Sequence, residues 1–245
     1  MRAVGIVAAA GSGLRLGADL PKALVRLSGR PLVCWAVETL RAAGVTDVVV
    51  AVPAAEREAF AAVLGPGVLL VDGGASRTLS VRAALAAAAP EADAVLVHDA
   101  ARPLTPPDVV ARVLTALGEG ARAVVPVLPV VDTVVTVDDD GVWTGAVSRA
   151  PLRRVQTPQG FDRGTLVAAY DALGPGEELT DDASVVRAAG IPVTTVAGDE
   201  RAAKITVAHD LALAALQVNP ARTTGERASQ GALATEEQNE SGVEQ

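Results

Sequence analysis

Val-rich runs alternate with Ala- and Leu-rich runs along most of this chain, starting with the apolar segment from Val4 to Ala8. Short runs of β-branched residues are typical of strands buried on both faces, and the Ala/Leu-rich runs between them have helical length. Repeated alternation of strand and helix predicts an α/β fold, in which helices cover both faces of a mainly parallel sheet. Ligands bind such sheets beyond the carboxyl ends of the strands.

The pattern assigns most of the chain to individual elements. Predicted strands cover residues 4–8, 46–52, 68–71, 94–97, 121–127 and 192–196. Predicted helices cover residues 31–43, 54–64, 77–89, 106–117, 163–173, 182–189 and 207–217. Because half of the 245 residues are hydrophobic, the chain can bury the core of one domain, which we place at residues 1–218.

Two segments depart from the alternation. VDTVVTV and VWTGAV flank the turn DDDG within residues 131–148, which predicts an antiparallel hairpin arm. An arm with apolar residues on both faces needs a cover, so it either folds onto its own domain or forms a dimer interface. Residues 219–245 contain no aromatic residue and few large aliphatic ones, which predicts a disordered C-terminal tail.

Charge and cysteine content exclude several classes of partner and location. A formal net charge of −8 disfavours non-specific binding to nucleic acid or to an anionic membrane, so neither is expected as a partner.

The segment from Val4 to Ala10 is too short to span a bilayer and lacks the features of a secretory signal. Cys34 is the only cysteine, so no intrachain disulfide can form. These features predict a cytoplasmic protein.

A glycine-rich segment, AAAGSGLRLG, follows the first predicted strand and ends at Gly17. Its third glycine comes one position too late for the dinucleotide fingerprint, and no Gly-Lys-Ser/Thr follows as in a P-loop. Small residues nevertheless let backbone N–H groups approach phosphate oxygens, and Arg15 and Lys22 add positive charge. The alternative is an ordinary tight turn between strand and helix, but the two cations favour a phosphate site.

A second glycine cluster, DGGASRTLS, runs from Asp72 to Ser80 between a predicted strand and a predicted helix. It could be a loop with a helix N-cap. It could also bind a nucleotide base or ribose through hydrogen bonds from backbone groups and from the Ser80 hydroxyl.

The segment HDAARP follows another buried strand. Asp99 and Arg102 are three residues apart and could form a structural ion pair, or bind a substrate or a magnesium–phosphate complex. We interpret His98 as a structural hydrogen-bonding residue rather than as a base.

Polar residues also occur in the C-terminal half. Arg149, Arg153 and Arg154 form a basic cluster that would suit a phosphate monoester, although such clusters are usually solvated. The TDD sequence that begins at Thr180 could cap a helix, and Lys204 could lie at the end of a strand. The sequence has neither a G-x-S-x-G elbow nor a His/Cys cluster with zinc spacing.

Taken in order, these segments resemble the 2-C-methyl-D-erythritol 4-phosphate cytidylyltransferase family. The motifs that carry the resemblance are AAAGSGLRLG, PK, DGG with a later SV, HDAARP, DTV, TPQ, TDDAS and KIT. They occur in the family's order from about Val4 to Leu216. Each motif alone is weak, whereas eight in register are specific.

The resemblance implies a Rossmann-like enzyme of the nucleotidyltransferase type. Such an enzyme transfers a cytidylyl group from CTP to 2-C-methyl-D-erythritol 4-phosphate and releases pyrophosphate, in non-mevalonate isoprenoid precursor synthesis. It also implies a divalent cation, Mg²⁺, held mainly by the CTP phosphates, and a homodimer formed through the hairpin arm. The alternative is a cytidylyltransferase for ribitol 5-phosphate or another polyol phosphate.

The same resemblance implies the site residues. The implied catalytic cations are Arg15, Lys22 and Lys204. The implied CTP-binding residues are Ala9, Ala10, Gly11, Gly13, Gly74 and Ser80. The implied sugar phosphate site comprises Asp99, Arg102, Thr157, Thr180 and Lys204, with Thr133 and Arg149 contributed by the partner subunit. The chain departs from the family's pattern at Ala23 and at Ala75-Ser76, which affects loop packing and base recognition but not the type of reaction.

Two other classes of protein fit parts of the sequence. A nicotinamide-dependent oxidoreductase would explain the first glycine loop, but the third glycine is misplaced and the acidic residue expected near position 30 is lacking. A nucleotide-binding regulatory module would not need the cations Arg15, Lys22 and Lys204. The sequence therefore favours an enzyme that acts on a triphosphate.

Overall fold

The computed structural model describes residues 1–11, 16, 20–174 and 176–218. Two residues of the implied site, Gly13 and Arg15, lie outside this part of the chain. The predicted tail, residues 219–245, also lies outside it.

Strands and helices alternate as the sequence predicts. The strands are β1 Ala3–Ala8, β2 Arg26–Leu27, β3 Arg30–Pro31, β4 Asp47–Val52, β5 Leu69–Asp72, β6 Ala94–Asp99, β7 Ala123–Pro129, β8 Val134–Val137, β9 Trp143–Val147, β10 Arg153–Val155, β11 Gln159–Asp162 and β12 Thr194–Ala197. The α-helices are α1 Leu32–Ala42, α2 Arg57–Leu64, α3 Arg77–Ala87, α4 Pro107–Gly118, α5 Arg163–Ala172, α6 Asp182–Ala188 and α7 Ala208–Val218. Short 3₁₀ helices lie at Lys22–Leu24, Ala54–Glu56 and Glu200–Ala202. None of the helices in the described ranges is long and apolar enough to cross a membrane.

Eight of the described strands form one mainly parallel sheet, which confirms the predicted fold class. Its order is β10-β7-β11-β6-β1-β4-β5, with β12 paired to β7. β1 lies in the middle and pairs in parallel with β4 on one side and β6 on the other. β10 and β11 run antiparallel to their neighbours. The sequence pattern predicts neither of these two short strands.

The Val-rich strands are buried on both faces because each face packs against its own helices. In β6, Val95 and Val97 belong to the core that contains residues of α3, α5 and α6. Leu96, which points to the opposite face, packs in the core with residues of α1 and α4. Alternate side chains of a strand point to opposite faces, so both sets of positions must be apolar.

The predicted hairpin is confirmed as an antiparallel pair that lies outside the main sheet. β8 and β9 pair only with each other among the described strands, with a register shift near Thr136 and Val137. Apolar side chains of the hairpin stay exposed, including Trp143 at 63% and Val137 at 59%. The hairpin therefore does not bury these side chains against its own domain.

The sheet brings three chain turns together at the carboxyl end of its central strands. The Ala9 amide donates to the Ala51 carbonyl at 3.0 Å, and the Gly73 amide donates to the Val52 carbonyl at 2.7 Å. These bonds keep the chain after β1 and the chain after β5 beside the end of β4. The Ala100 amide donates to the Ala8 carbonyl, which keeps the chain after β6 beside β1.

Candidate active site

A cavity of about 610 Å³ opens at this carboxyl edge, where ligands of parallel sheets bind. Its described lining comes from both glycine clusters, the segment after β6, and the two lysines predicted from the sequence. The lining residues are Ala8, Ala9, Ala10, Gly11, Lys22, Ala23, Gly74, Ala75, Ser76, Arg77, Ser80, Asp99, Ala100, Ala101 and Lys204.

The first wall of the cavity is the turn that follows β1. Its residues have small side chains or none, so backbone groups lie at the cavity surface. The Lys22 amide donates to the Gly11 carbonyl at 3.2 Å, which fixes the start of a 3₁₀ helix beside the turn. Lys22 therefore lines the cavity, and this hydrogen bond fixes its backbone. The next residue, Ala23, is buried.

The second wall is the glycine turn before α3, and it lies against the first. A Cβ atom on Gly73 would lie 2.7 Å from the Cβ of Ala10, so the two turns can approach this closely only with glycine here. The Gly74 amide donates to Ser80 Oγ at 3.1 Å, and Ser80 Oγ donates to the Ser76 carbonyl at 2.8 Å. Ser80 thus ties the turn to the first part of α3.

Asp99, the last residue of β6, places a carboxylate at the cavity. Its Oδ2 accepts a hydrogen bond from Lys204 Nζ at 2.8 Å, and its Oδ1 lies 3.3 Å from Arg77 Nη2. Burial alone would raise the pKa of the Asp99 carboxyl, but Arg77 and Lys204 outweigh burial and hold that pKa well below its ordinary value. Asp99 therefore carries a negative charge at neutral pH.

Arg77 is the one charged residue of the described cavity lining that has no role among the implied site residues. Its Nη2 lies 2.7 Å from Asp182 Oδ2, on a side chain with no exposed surface. Burial opposes the charge of Arg77, but Asp182 and Asp99 outweigh it and raise the pKa of Arg77 above its ordinary value. A signal was available in the sequence: Arg77 begins α3, and a cation at a helix N-terminus opposes the helix dipole unless an anion compensates it.

The backbone around Lys204 is anchored to the segment after β6. The Ile205 amide donates to the Ala101 carbonyl at 2.8 Å, and the Ile205 side chain is buried. Arg102 donates to the Ala202 carbonyl at 2.7 Å and to the Val155 carbonyl at 3.2 Å. The described lining of the cavity does not include Arg102, whose contacts instead hold the chain that leads to Lys204.

Thr157 lies buried behind Asp99. Its Oγ1 accepts a hydrogen bond from the Asp99 amide at 3.1 Å and lies 2.8 Å from His98 Nδ1. The described lining of the cavity includes neither Thr157 nor His98. Burial of the whole ring lowers the pKa of His98 to about 4, so the imidazole is neutral near neutral pH. This environment agrees with the interpretation of His98 as a structural residue.

Because the pKa of His98 is lowered, the free energy of unfolding should decrease as the pH falls below 6.5. The variant His98→Asn should lack this part of the decrease. Between pH 6.5, the ordinary value, and about 4, the unfolded chain binds a proton that the folded ring does not accept. The contribution of His98 to stability is thus complete above pH 6.5 and decreases as the pH falls, by up to about 1.4 kcal/mol per pH unit. Urea unfolding at pH 7.5, 6.0 and 5.0 should show a smaller decrease for the variant. Parallel pH profiles would contradict the assignment.

The remaining residues of the implied sugar phosphate site lie elsewhere on the surface. Thr180 is exposed just before α6, with its Oγ1 3.5 Å from Ser184 Oγ. Thr133 and Arg149 are exposed at the base of the hairpin, where Arg149 donates to the Val131 carbonyl. The described lining of the cavity contains none of these three side chains.

The family model for 2-C-methyl-D-erythritol 4-phosphate cytidylyltransferase matches residues 3–219. A 2-C-methyl-D-erythritol 4-phosphate cytidylyltransferase from Nocardia farcinica is 56% identical over 214 residues, which cover 86% of this chain and 91% of the relative. One from Saccharopolyspora erythraea is 52% identical over 221 residues, with coverage of 87% and 98%.

Solved structures give the same similarity in three dimensions. The crystal structure of 2-C-methyl-D-erythritol 4-phosphate cytidylyltransferase from Thermus thermophilus superposes with a TM-score of 0.74 at 37% sequence identity. The superposition covers 89% of this chain and 98% of the Thermus chain. Sequence and fold thus agree over nearly the whole of the described chain.

Proposed function

This chain belongs to the 2-C-methyl-D-erythritol 4-phosphate cytidylyltransferases, and we propose how the residues of its cavity carry out the reaction of that family. The enzyme transfers a cytidylyl group from CTP to 2-C-methyl-D-erythritol 4-phosphate in isoprenoid precursor synthesis. The products are 4-diphosphocytidyl-2-C-methyl-D-erythritol and pyrophosphate.

The proposed chemical step is an in-line attack by a phosphate oxygen of the acceptor on the α-phosphorus of CTP. A new P–O bond forms as the bond to the β-phosphate oxygen breaks, and pyrophosphate leaves with that electron pair. The attacking phosphate monoester is already ionised near neutral pH, so the step needs no strong base. The protein then contributes mainly by positioning two anions and by stabilising the charge that develops between them.

The observation that carries this proposal is the convergence of two lysines on the two glycine turns. Lys22 and Lys204 come from distant parts of the chain, yet they line the same cavity. In the proposal they stabilise the charge on the triphosphate in the transition state, together with Arg15. The nucleotide lies against the small residues of the turns, Ala9, Ala10, Gly11, Gly13, Gly74 and Ser80.

We propose that the acceptor phosphate binds on the Asp99 and Lys204 side of the cavity. Arg102 supports this side by its hydrogen bond to the Ala202 carbonyl, in the chain that leads to Lys204. Thr157 supports it by accepting a hydrogen bond from the Asp99 amide. Thr180 would contact the acceptor from the loop before α6. Thr133 and Arg149, contributed by the partner subunit, would complete the site.

A divalent cation such as Mg²⁺ would enter with the nucleotide. Among the described residues, no group of three or more His, Cys, Asp or Glu side chains could hold a metal ion. Asp99 is the carboxylate of the described cavity lining, and each of its oxygens already contacts a cation. We therefore propose that the CTP phosphates provide most of the ligands of the divalent cation. When bound, the cation would neutralise part of the phosphate charge.

The exposed hairpin supports the proposal of a homodimer. The apolar side chains of β8 and β9 are not covered by the described domain, and a second copy of the chain could cover them symmetrically. Arg149 at the hairpin base would then reach the cavity of the other subunit.

We also propose that the catalytic unit is a single domain of residues 1–218 that acts in the cytoplasm. Every residue given a role lies before the end of α7. The single cysteine is compatible with that location, because no intrachain disulfide can form.

Substrate specificity tests the reaction directly. Pyrophosphate release should be fast only with CTP and 2-C-methyl-D-erythritol 4-phosphate, when all four nucleotides are combined with a panel of polyol phosphates. A kcat/KM for ribitol 5-phosphate equal to that for 2-C-methyl-D-erythritol 4-phosphate would contradict the assigned acceptor.

Arg149→Ala is expected to raise the KM for the acceptor by about 10-fold or more, because a hydrogen bond to a charged group contributes about 1.5–3 kcal/mol. Its effect on the KM for CTP should be small. Arg153→Ala is the matched control, since Arg153 is exposed nearby and donates to the carbonyls of Ala150 and Leu152.

Mixed dimers test whether Arg149 acts across the interface. A dimer that pairs an Arg149→Ala subunit with a Lys22→Ala subunit keeps one complete site if Arg149 acts in trans. Neither parental homodimer has such a site, so mixing should restore activity. If mixing restores nothing although mixed dimers form, Arg149 acts within its own subunit or has no role.

A further inference from the structure

Arg77 bridges two carboxylates that come from different parts of the chain. Its Nη2 lies 2.7 Å from Asp182 Oδ2 at the start of α6 and 3.3 Å from Asp99 Oδ1 at the end of β6. Its Nε also lies 3.4 Å from Asp99 Oδ1. The planar guanidinium group can hold two carboxylates in a fixed relation, which a lysine ammonium group cannot do as well.

The Asp182 end of this bridge is buried. Asp182 has no exposed surface, and its Oδ1 accepts a hydrogen bond from the Tyr170 hydroxyl at 2.6 Å. Tyr170 is itself buried in the core between α5 and the sheet. Arg77 is therefore paired, on its buried side, with a carboxylate whose other oxygen is hydrogen-bonded to a core residue.

The Asp99 end of the bridge leads to the cavity. Only 11% of the Asp99 side chain is exposed, and its backbone amide donates to buried Thr157. With Oδ1 held by Arg77, the carboxylate presents Oδ2 to Lys204 Nζ at 2.8 Å. The Lys204 side chain is 44% exposed and long, so its position depends on this contact.

We propose that Arg77 is a positioning residue for cytidylyl transfer, which fixes the Asp99 carboxylate so that Asp99 holds the Lys204 ammonium group at the cavity. The chain of contacts runs from the buried Tyr170 hydroxyl through Asp182, Arg77 and Asp99 to Lys204. It preorganises a cation before the two substrates bind, which reduces the rearrangement needed in the transition state. This inference rests on the proposed role of Lys204 in phosphate binding.

A double-mutant cycle separates positioning from simple structural support. Arg77→Met alone would leave the buried Asp182 without its cation, so the starting point is the paired variant Arg77→Met/Asp182→Asn, which removes both charges. Asp99→Asn is made in the wild-type enzyme and in the paired variant, and kcat/KM for the acceptor is measured in all four proteins. Thermal unfolding of each protein shows that it is folded at the assay temperature.

If Arg77 acts through Asp99, the two losses are not independent. Asp99→Asn should lower kcat/KM by about 10-fold or more in the wild-type enzyme but by less than about 3-fold in the paired variant. Losses that multiply would overturn the inference. The matched control is Arg82→Met in place of the paired variant, because Arg82 lies on the same helix with its side chain half exposed. In that control, Asp99→Asn should keep its full effect.

Arg77→Lys gives a second measurement that does not depend on removing charge. A lysine keeps a positive charge beside Asp182 but lacks the pair of nitrogens, Nε and Nη2, that both contact Asp99 Oδ1 in the wild-type enzyme. We expect this variant to keep most of its thermal stability and to lose kcat/KM by about 10-fold, as positioning requires. Wild-type kcat/KM in a folded Arg77→Lys enzyme would overturn the inference.

Lys204→Ala distinguishes failure of this inference from failure of the proposed function. If Lys204→Ala leaves kcat/KM unchanged, the proposed role of Lys204 is wrong and the inference falls with it. If Lys204→Ala impairs the enzyme but the losses in the cycle multiply, only the positioning role of Arg77 is wrong.

Discussion

Replacing Lys22 with alanine is expected to lower kcat by about 100-fold or more while the affinity for CTP changes only slightly. Negative charge on the phosphate oxygens grows as the acceptor attacks and pyrophosphate leaves, so a fixed cation stabilises the transition state more than bound CTP. The hydrogen bond from the Lys22 amide to Gly11 fixes the backbone from which the ammonium group reaches the cavity.

Two measurements separate these effects. The rate of pyrophosphate release at saturating substrates gives kcat, and calorimetric titration with CTP in the absence of acceptor gives Kd. Arg26→Ala is the matched control, because Arg26 is an exposed cation close in sequence that donates to the Gly29 carbonyl. This control should keep kcat within about 2-fold. A raised KM for CTP with unchanged kcat in Lys22→Ala would show that Lys22 only binds the nucleotide.

The central strands could be predicted from the sequence because burial on both faces imposes a continuous apolar run. β1, β4 and β6 meet this condition, and their predicted bounds agree with the structure to within about two residues. β11 does not meet it, since Gln159–Asp162 is short and contains a glycine and two polar residues. Its strand conformation comes from pairing with β6 and β7, which no local pattern reveals.

The candidate site also has features that a local sequence pattern predicts and features that depend on contacts between distant residues. The glycine turns and Lys22 are expected at the carboxyl edge of the sheet from their positions after strands, and they line one cavity there. Their contact with phosphate stays a prediction. Arg77 is recognisable in the sequence as a cation at the start of α3, but its two partners are not. Asp99 and Asp182 are distant from it in sequence and meet it only in the fold. The placement of Arg102 on backbone carbonyls also depends on the folded path of residues 155 and 202.

The largest expected effect on stability comes from the single variant Arg77→Met. Asp182 has no exposed surface, and Arg77 is the cation that lies 2.7 Å from its Oδ2. Removing one partner of a buried ion pair leaves an uncompensated charge, which lowers the free energy of unfolding by about 3–5 kcal/mol. Urea unfolding at pH 7.5 should therefore show a large decrease in midpoint without a large change in slope.

Two further variants show whether the free energy of unfolding falls because Asp182 is left unpaired or because the long Arg77 side chain is missing. Arg82→Met removes an equally long cation from the same helix, but its partner Asp171 is 3.7 Å away and 70% exposed. That control should change the free energy of unfolding by no more than about 0.5 kcal/mol. The paired variant Arg77→Met/Asp182→Asn should recover most of the stability lost in Arg77→Met, because it no longer buries an unpaired charge. Equal destabilisation in the single and paired variants would mean that packing of the Arg77 side chain, and not the charge of Asp182, determines the loss.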